Sequence, residues 1–217
     1  MTQSDIREIE RIFYPGWLMV SQLHGGQEVR EGEKLYRRAC CLVQDARTAL
    51  TDAGYSDINR DHMVYALCAL LDESVLNRGT TDDGYLVWHR DPLQAHFFGT
   101  LNAGEELWEC IRNLLKETEP DTAVLTCLYR TLQLGFVGQY RARDDERRED
   151  VVRKLGERVP AFSLAQDAPI VARVFRLRGG RRGYWFSWVI GSAVLAALWF
   201  FLSSSLTDLV SQIVRPG

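Results

Sequence analysis

The sequence predicts an all-α body followed by one membrane-spanning helix near the C-terminus. Three observations lead there. Apolar residues recur at helical spacing through most of the chain before residue 160. No run alternates with period two for long enough to make a strand. Residues 183–207 contain no charged side chain.

Helical spacing is clearest in "EKLYRRACCLVQDARTALTDAG", residues 33–54, where Leu35, Ala39, Leu42, Val43, Ala46, Leu50 and Ala53 share a face and Gly54 follows as a stop. A second helix is expected over Asp61–Asn77, ended by Gly79. It is apolar nearly all round (Met63, Val64, Leu67, Leu70, Leu71, Val75, Leu76), which predicts the most buried position in the fold. Further helices are expected at Thr2–Phe13, Leu18–His24, Ala103–Glu117, Asp121–Phe136 and Asp144–Leu155. Pro15, Pro92, Pro120 and Pro160 fall between these segments, where a residue without an N–H costs nothing. "PIVARVFRL", residues 169–177, reads as a thread from body to membrane. Short connections favour antiparallel neighbours.

The last element is the span, residues 184–206. Tyr184–Leu202 is nineteen residues, and at 1.5 Å per residue it covers roughly 28 Å, close to the hydrocarbon thickness of a bilayer. A basic collar, residues 173–183, precedes it with Arg173, Arg176, Arg178, Arg181 and Arg182, whereas the tail at 207–217 carries only Asp208 and Arg215. By the positive-inside rule the N-terminal side is cytoplasmic and the tail periplasmic. Arg181, Arg182, Trp185 and Trp188 suit one interface and Trp199 the other. Ser187 and Gly191, and likewise Ser192 and Ala196, stand four apart and permit close helix approach, predicting self-association through the span. The polar N-terminus, "MTQSDIREIERIFY", does not read as a signal peptide.

Residues 1–172 carry 20 Lys+Arg against 28 Asp+Glu, a balance of −8. An acidic body excludes the basic footprint that nucleic-acid binding needs. The five cysteines include no CxxC and, in a reducing compartment, read as small buried apolar residues; the four histidines show no metal-ligand spacing with them. "RARDDERREDVVRK" balances its charges, with Asp144–Arg148, Glu149–Arg153 and Asp150–Lys154 at i,i+4 as on a solvated helix. "GGQEVREGE" lacks GxxxxGK[ST], and neither GxSxG nor HExxH occurs. No cofactor, metal or catalytic residue is expected.

The one polar interruption of the apolar run is Asp72–Glu73 in "LLDESVLN". Carboxylates near a helix C-terminus oppose its dipole, and adjacent helical residues diverge by about 100°, which disfavours their acting on one substrate atom. One reading has an acid capping a neighbouring helix or pairing with Arg78 or Arg141. The other has Asp72, Glu73 and Asn77 bordering a cleft where a partner docks. The two are compatible.

The segments "YALCALLDESVLN", Trp88 followed by "DPLQAHFFGTLNAGEELWE", and "LYRTLQLGFVGQYR" occur in that order ahead of a terminal span. In this the chain resembles the DotU/IcmH–TssL family of type VI and type IVB secretion machines. The resemblance implies a hook-like cytoplasmic domain of two small three-helix bundles and no catalysis. It implies, as partners, TssM (IcmF-like) and TssJ in the membrane complex and the baseplate subunit TssK. It places the chain in a bacterial inner membrane. Within "LGFVGQYR", Gly135 and Gly138 are expected at a helix end or close approach, and Tyr140 and Arg141 between lobes or facing a partner, as is Trp88. Phe97 and Phe98 are expected to pack between lobes. The competing readings are a tail-anchored adaptor outside secretion and a tail-anchored hydrolase using Asp72 or Glu73.

Overall fold

The computed structural model describes residues 3–26, 28–140 and 144–159, with backbone only at 3–5. The collar, the uncharged run and the tail lie outside the described residues. Among the described residues no helix is long and apolar enough to cross a membrane. All regular elements among them are helices.

The first is α1 (Gln3–His24), one helix where two are expected, with Pro15 inside it. Proline removes the hydrogen bond to the carbonyl of Arg11 and costs about 3 kcal/mol in a helix interior. Here it sits on the exposed side, where water reaches that carbonyl. Ile9, Phe13, Trp17 and Val20 meanwhile keep one buried stripe across it. Burial of such side chains contributes about 1.5–3 kcal/mol each, enough to outweigh the break. Gly16 lets this stripe run close to its neighbour: a Cβ there would lie 2.7 Å from Leu67 Cδ1.

Helix α2 (Gly32–Asp52) buries Tyr36, Ala39, Val43, Ala46 and Leu50. Ala53 falls just outside the helix and is exposed. Helix α3 (Asp57–Leu76) starts four residues before its expected beginning, because Ser56 caps it by accepting from the Asn59 amide at 3.2 Å. It is the central helix, packed on α1, on α2 and on four later helices.

Those four include two short ones. Helix α4 (Asp83–Arg90) has no counterpart in the sequence reading. It is fastened by two acids at its start: Asp82 accepts from the amides of Val29 (2.8 Å) and Tyr85 (3.0 Å), and Asp83 from that of Gly32 (2.6 Å). Helix α5 (Leu93–Phe98) follows the Asp91–Pro92 start and stops at Gly99, whose φ is +68°. Phe98 is half-buried, edge-on to Tyr65 at 5.0 Å and beneath Arg47 at 5.4 Å.

Helices α6 (Ala103–Leu114), α7 (Thr122–Gln133) and α8 (Glu146–Arg158) complete the described body. Asp121 caps α7 through the Ala123 amide at 2.8 Å and accepts from Asn59 Nδ2 of α3 at 2.8 Å. The solvated-face reading of α8 needs correction at Arg148, which is 6% exposed. Its Nη2 donates to the carbonyls of Leu132 (2.8 Å) and Phe136 (3.0 Å), so a buried cation closes the C-terminal end of α7. Asp150 pairs with Lys154 at 2.6 Å as the spacing suggests, while Arg153 prefers Asp150 (2.6 Å) and Glu157 (2.8 Å) over Glu149.

Among the described residues eight helices stand where two three-helix bundles would account for six. The core is continuous, because α3 belongs to both sides: α1, α2 and α4 pack on it, and so do α5, α6 and α7. The cysteines also divide. Cys68 and Cys127 are buried, but Cys41 is exposed, on the solvent side of α2.

Candidate functional site

Asp72 and Glu73 leave α3 in different directions, as the helical geometry requires. Asp72 is 2% exposed. Its Oδ1 accepts from Trp88 Nε1 (3.0 Å) and the Leu93 amide (2.8 Å), and its Oδ2 from the Gln94 amide at 2.9 Å. Pro92, the N-cap of α5, has no side-chain acceptor, so α3 supplies the cap from outside. Gln94 passes the arrangement on, its Oε1 accepting from the Ala103 amide at the start of α6 (2.9 Å). Burial pushes the Asp72 carboxyl up to about 6, and the amides of Gln94 and Leu93 with the Trp88 N–H hold it from rising further. Asp72 is therefore a helix cap in the core, and the cleft reading is corrected for it.

Glu73 reaches the segment after α7. Its Oε1 accepts from the Val137 amide and its Oε2 from the Gly138 amide, both at 2.8 Å. The other side of that segment is sewn to α6: Trp108 Nε1 donates to the Val137 carbonyl (3.0 Å) and the Gln139 amide to the Gly104 carbonyl (2.9 Å). Gly135 (φ +109°) ends α7. Gly138 (φ +60°) takes the close approach, since a Cβ there would lie 2.8 Å from both Gly104 O and the Phe136 ring. Tyr140 stands edge-on to Trp108 at 4.7 Å, with Arg147 5.7 Å from its ring centre.

Between α3 and this segment lies a cleft of about 300 Å³. Glu73, Ser74, Asn77 and Arg78 line one wall, Gly135, Val137, Gly138 and Tyr140 the other, and His24 closes an end. Its charges are largely spent on the protein. Arg78 Nη2 donates to both oxygens of Asp82, at 2.8 and 3.0 Å. Burial acts to raise the Asp82 carboxyl, but the amides of Val29 and Tyr85 and the Arg78 guanidinium outweigh it and hold the group low. What faces the opening is polar but mostly internally balanced: hydroxyl, carboxamide, phenol and backbone.

The structure thus brings together Glu73, Asn77, Gly135, Gly138 and Tyr140, five of the sequence-predicted site residues. Trp88 is instead a buried core residue, edge-on to Tyr36 at 4.9 Å and bonded to Asp72. Arg141 lies outside the described residues, as do Arg181, Arg182, Trp185, Ser187, Trp188, Gly191, Ser192, Ala196 and Trp199. His24 and Ser74 were not anticipated. His24 reaches the cleft only through the packing of α1 on α3, whereas Ser74 shares the α3 wall with Glu73 and Asn77. Among the described residues no group of His, Cys, Asp and Glu is placed to hold a metal.

Comparison with known proteins fits this architecture. The family model "Type VI secretion system protein DotU" matches residues 8–205. The solved structure of SciP/TssL from the type VI secretion system of enteroaggregative Escherichia coli 042 is 67% identical. That match covers 77% of this chain and 97% of that one, with a TM-score of 0.65. TssL from Vibrio cholerae is 26% identical over 70% of this chain and 94% of that one, with a TM-score of 0.59. The cytoplasmic domain of TssL from Acinetobacter baumannii, 22% identical over 69% and 95%, shares the fold with a TM-score of 0.62. No match is found among curated proteins. A family match running from α1 into the uncharged run, with a solved TssL two-thirds identical, assigns the chain to the DotU family of type VI secretion proteins.

Proposed function

We propose that this chain is a non-catalytic, C-tail-anchored inner-membrane component of a type VI secretion membrane complex. It links the TssM/TssJ trans-envelope assembly to the cytoplasmic baseplate through TssK. The domain limits proposed are a helical body over 1–172, a collar over 173–183, a span over 184–206 and a periplasmic tail over 207–217. Support for the anchor is the Arg-rich collar followed by an uncharged run of bilayer length. Support for the linking role is family membership.

The observation that carries docking at the cleft is the wall made by Asn77, Glu73 and Tyr140, open to solvent and built from two segments more than fifty residues apart. The hydrolase alternative finds no support in the geometry. Both carboxylates are occupied by N–H donors, and they serve different segments. The test is co-purification from detergent-solubilised membranes with TssM, TssJ and TssK. Asn77→Ala and Tyr140→Ala are expected to lower TssK recovery while leaving TssM in place. Full TssK recovery in both variants overturns the cleft as the docking site. A cysteine placed beside Gly217 is expected to react with an impermeant thiol reagent in spheroplasts, and protection there overturns the topology.

A further inference from the structure

The polar groups of the cleft between α3 and the segment after α7 fall into two kinds. The charged ones are engaged within the protein. Both oxygens of Glu73 accept backbone amides at 2.8 Å. Arg78 donates to both oxygens of Asp82, in a pair whose side chains are 7% and 4% exposed. His24 too has a partner within the chain. The neutral ones are not engaged. Among the described residues, the Ser74 hydroxyl, the Asn77 carboxamide and the Tyr140 hydroxyl line the cleft and make no side-chain hydrogen bond. Ser74 is the most telling, because it is 5% exposed. A hydroxyl buried that far ordinarily finds a partner inside the protein. Here it borders the cleft instead.

That division narrows the occupant. An entering ammonium or guanidinium loses its water and finds Glu73 already held by two N–H groups. An entering carboxylate finds Arg78 already paired. Neither meets a fresh counter-charge, and a desolvated charge without one is costly. A hydroxyl, a carboxamide and a phenol can each donate and accept. They match the peptide group, with its one donor and one acceptor. The facing wall suits the same occupant. Two of its four residues, Gly135 and Gly138, bring no side chain to it, so another chain can lie close. The volume, about 300 Å³, is at the small end for a binding site and suits a short stretch with small side chains.

We infer that the cleft receives a short uncharged stretch of the partner's chain, held through its peptide groups by Ser74, Asn77 and Tyr140. This rests on the docking reading above and adds the chemistry of what docks: main chain with small neutral side chains, and no acid or base at its centre. The engaged charges then act in selectivity. They hold the two walls in place and offer nothing to a charged competitor.

The test titrates purified TssK against the full-length chain in detergent, with recovery of TssM reporting that each variant keeps its fold. Ser74→Ala removes no hydrogen bond within the protein. Its urea unfolding is therefore expected to match wild type, while TssK affinity falls roughly threefold to tenfold. Asn77→Asp and Asn77→Lys, at an exposed position, are both expected to weaken TssK about tenfold or more. Wild-type affinity is expected to change less than about threefold between low and high salt. Should the added charges unfold the body, Ser74→Ala and the salt titration decide alone. Tightening by Asn77→Asp or by Asn77→Lys overturns the inference, because the occupant then carries the opposite charge. So does a Ser74→Ala chain that binds TssK as wild type does, or a steeper fall of wild-type affinity with salt. Affinity untouched by Ser74→Ala, Asn77→Ala and Tyr140→Ala alike overturns the docking reading itself, and this inference with it.

Discussion

The guanidinium of Arg148 donates to the carbonyl of Phe136 from Nε at 3.2 Å and from Nη2 at 3.0 Å, binding α8 to the end of α7. Phe136 immediately precedes the two amides held by Glu73, so this contact also steadies the cleft wall. Arg148→Ala leaves the buried carbonyls of Leu132 and Phe136 without these donors. The expected cost is about 3 kcal/mol in urea unfolding. Arg148→Lys is expected to recover only part of it, because a single ammonium cannot reproduce the fork.

Removing Asp72 strips the cap from α5 and leaves the Trp88 N–H buried without an acceptor. Asp72→Ala is expected to cost about 2–4 kcal/mol at neutral pH in urea unfolding. The pH dependence has a definite sign. The folded carboxyl titrates at about 6, above its ordinary 3.8. The folded state therefore binds the proton more tightly, and this group's contribution is full below about 4 and falls as pH rises through about 6. The gap between wild type and Asp72→Ala is expected to widen on going from pH 7 to pH 4.

Asp82 predicts the opposite slope. Its carboxyl is held below the ordinary value, so its stabilising contribution is present above about pH 4 and is lost as pH falls through the lower folded value. Arg78→Ala removes the guanidinium from a pair whose side chains are 7% and 4% exposed. It is expected to cost about 3–5 kcal/mol near neutral pH and to flatten the acid limb of the stability curve. Circular dichroism melts between pH 3 and pH 7 read both effects.

Glu73→Gln keeps the shape but removes one of two acceptor oxygens, leaving either the Val137 or the Gly138 amide unpaired. A cost of about 1–2 kcal/mol is expected, with faster amide exchange at those two positions. Because the carboxylate is already satisfied within the protein, any loss of TssK binding is expected to vary little between low and high salt. A strong salt dependence would mean that Glu73 meets the partner as a free charge.

Gly138→Ala is expected to be severe, at about 2–4 kcal/mol in urea unfolding. It combines a left-handed φ with an approach of 2.8 Å to the Gly104 carbonyl. Gly26→Ala has an equally positive φ but no atom within 4 Å of its Cβ, and is expected to cost only about 1 kcal/mol.

Much of the architecture is legible because α2 is periodic over five turns, α3 is apolar nearly all round over as many, and α6, α7 and α8 carry caps or apolar stripes at the expected places. The misses have physical causes. Pro15 reads as a break in sequence, but the stripe from Ile9 to Val20 buries enough to carry the helix through. Helix α4 is eight residues long and depends on Asp82 and Asp83 holding the backbone of Val29 and Gly32, more than fifty positions away. No local pattern announces such a tie. Arg148 stands at the spacing of a solvated ion pair, and only the end of α7 reveals that it is buried. The divergence of Asp72 and Glu73 followed from helix geometry alone. Which of them turns inward did not, because that depends on the placement of α5.

Consecutive residues of α3 hold segments about 20 and 65 positions downstream, Asp72 the start of α5 and Glu73 the turn after α7. One turn of one helix is thus a common hub for both ends of the later chain. Fraying α3 there releases both attachments together: Asp72 loses the two amides of α5 and keeps only the Trp88 N–H, while Glu73 loses both of its amide donors. Loss of the one attachment is therefore expected to loosen the other. The amides at Leu93, Gln94, Val137 and Gly138 should exchange as one set, at the rate of global opening.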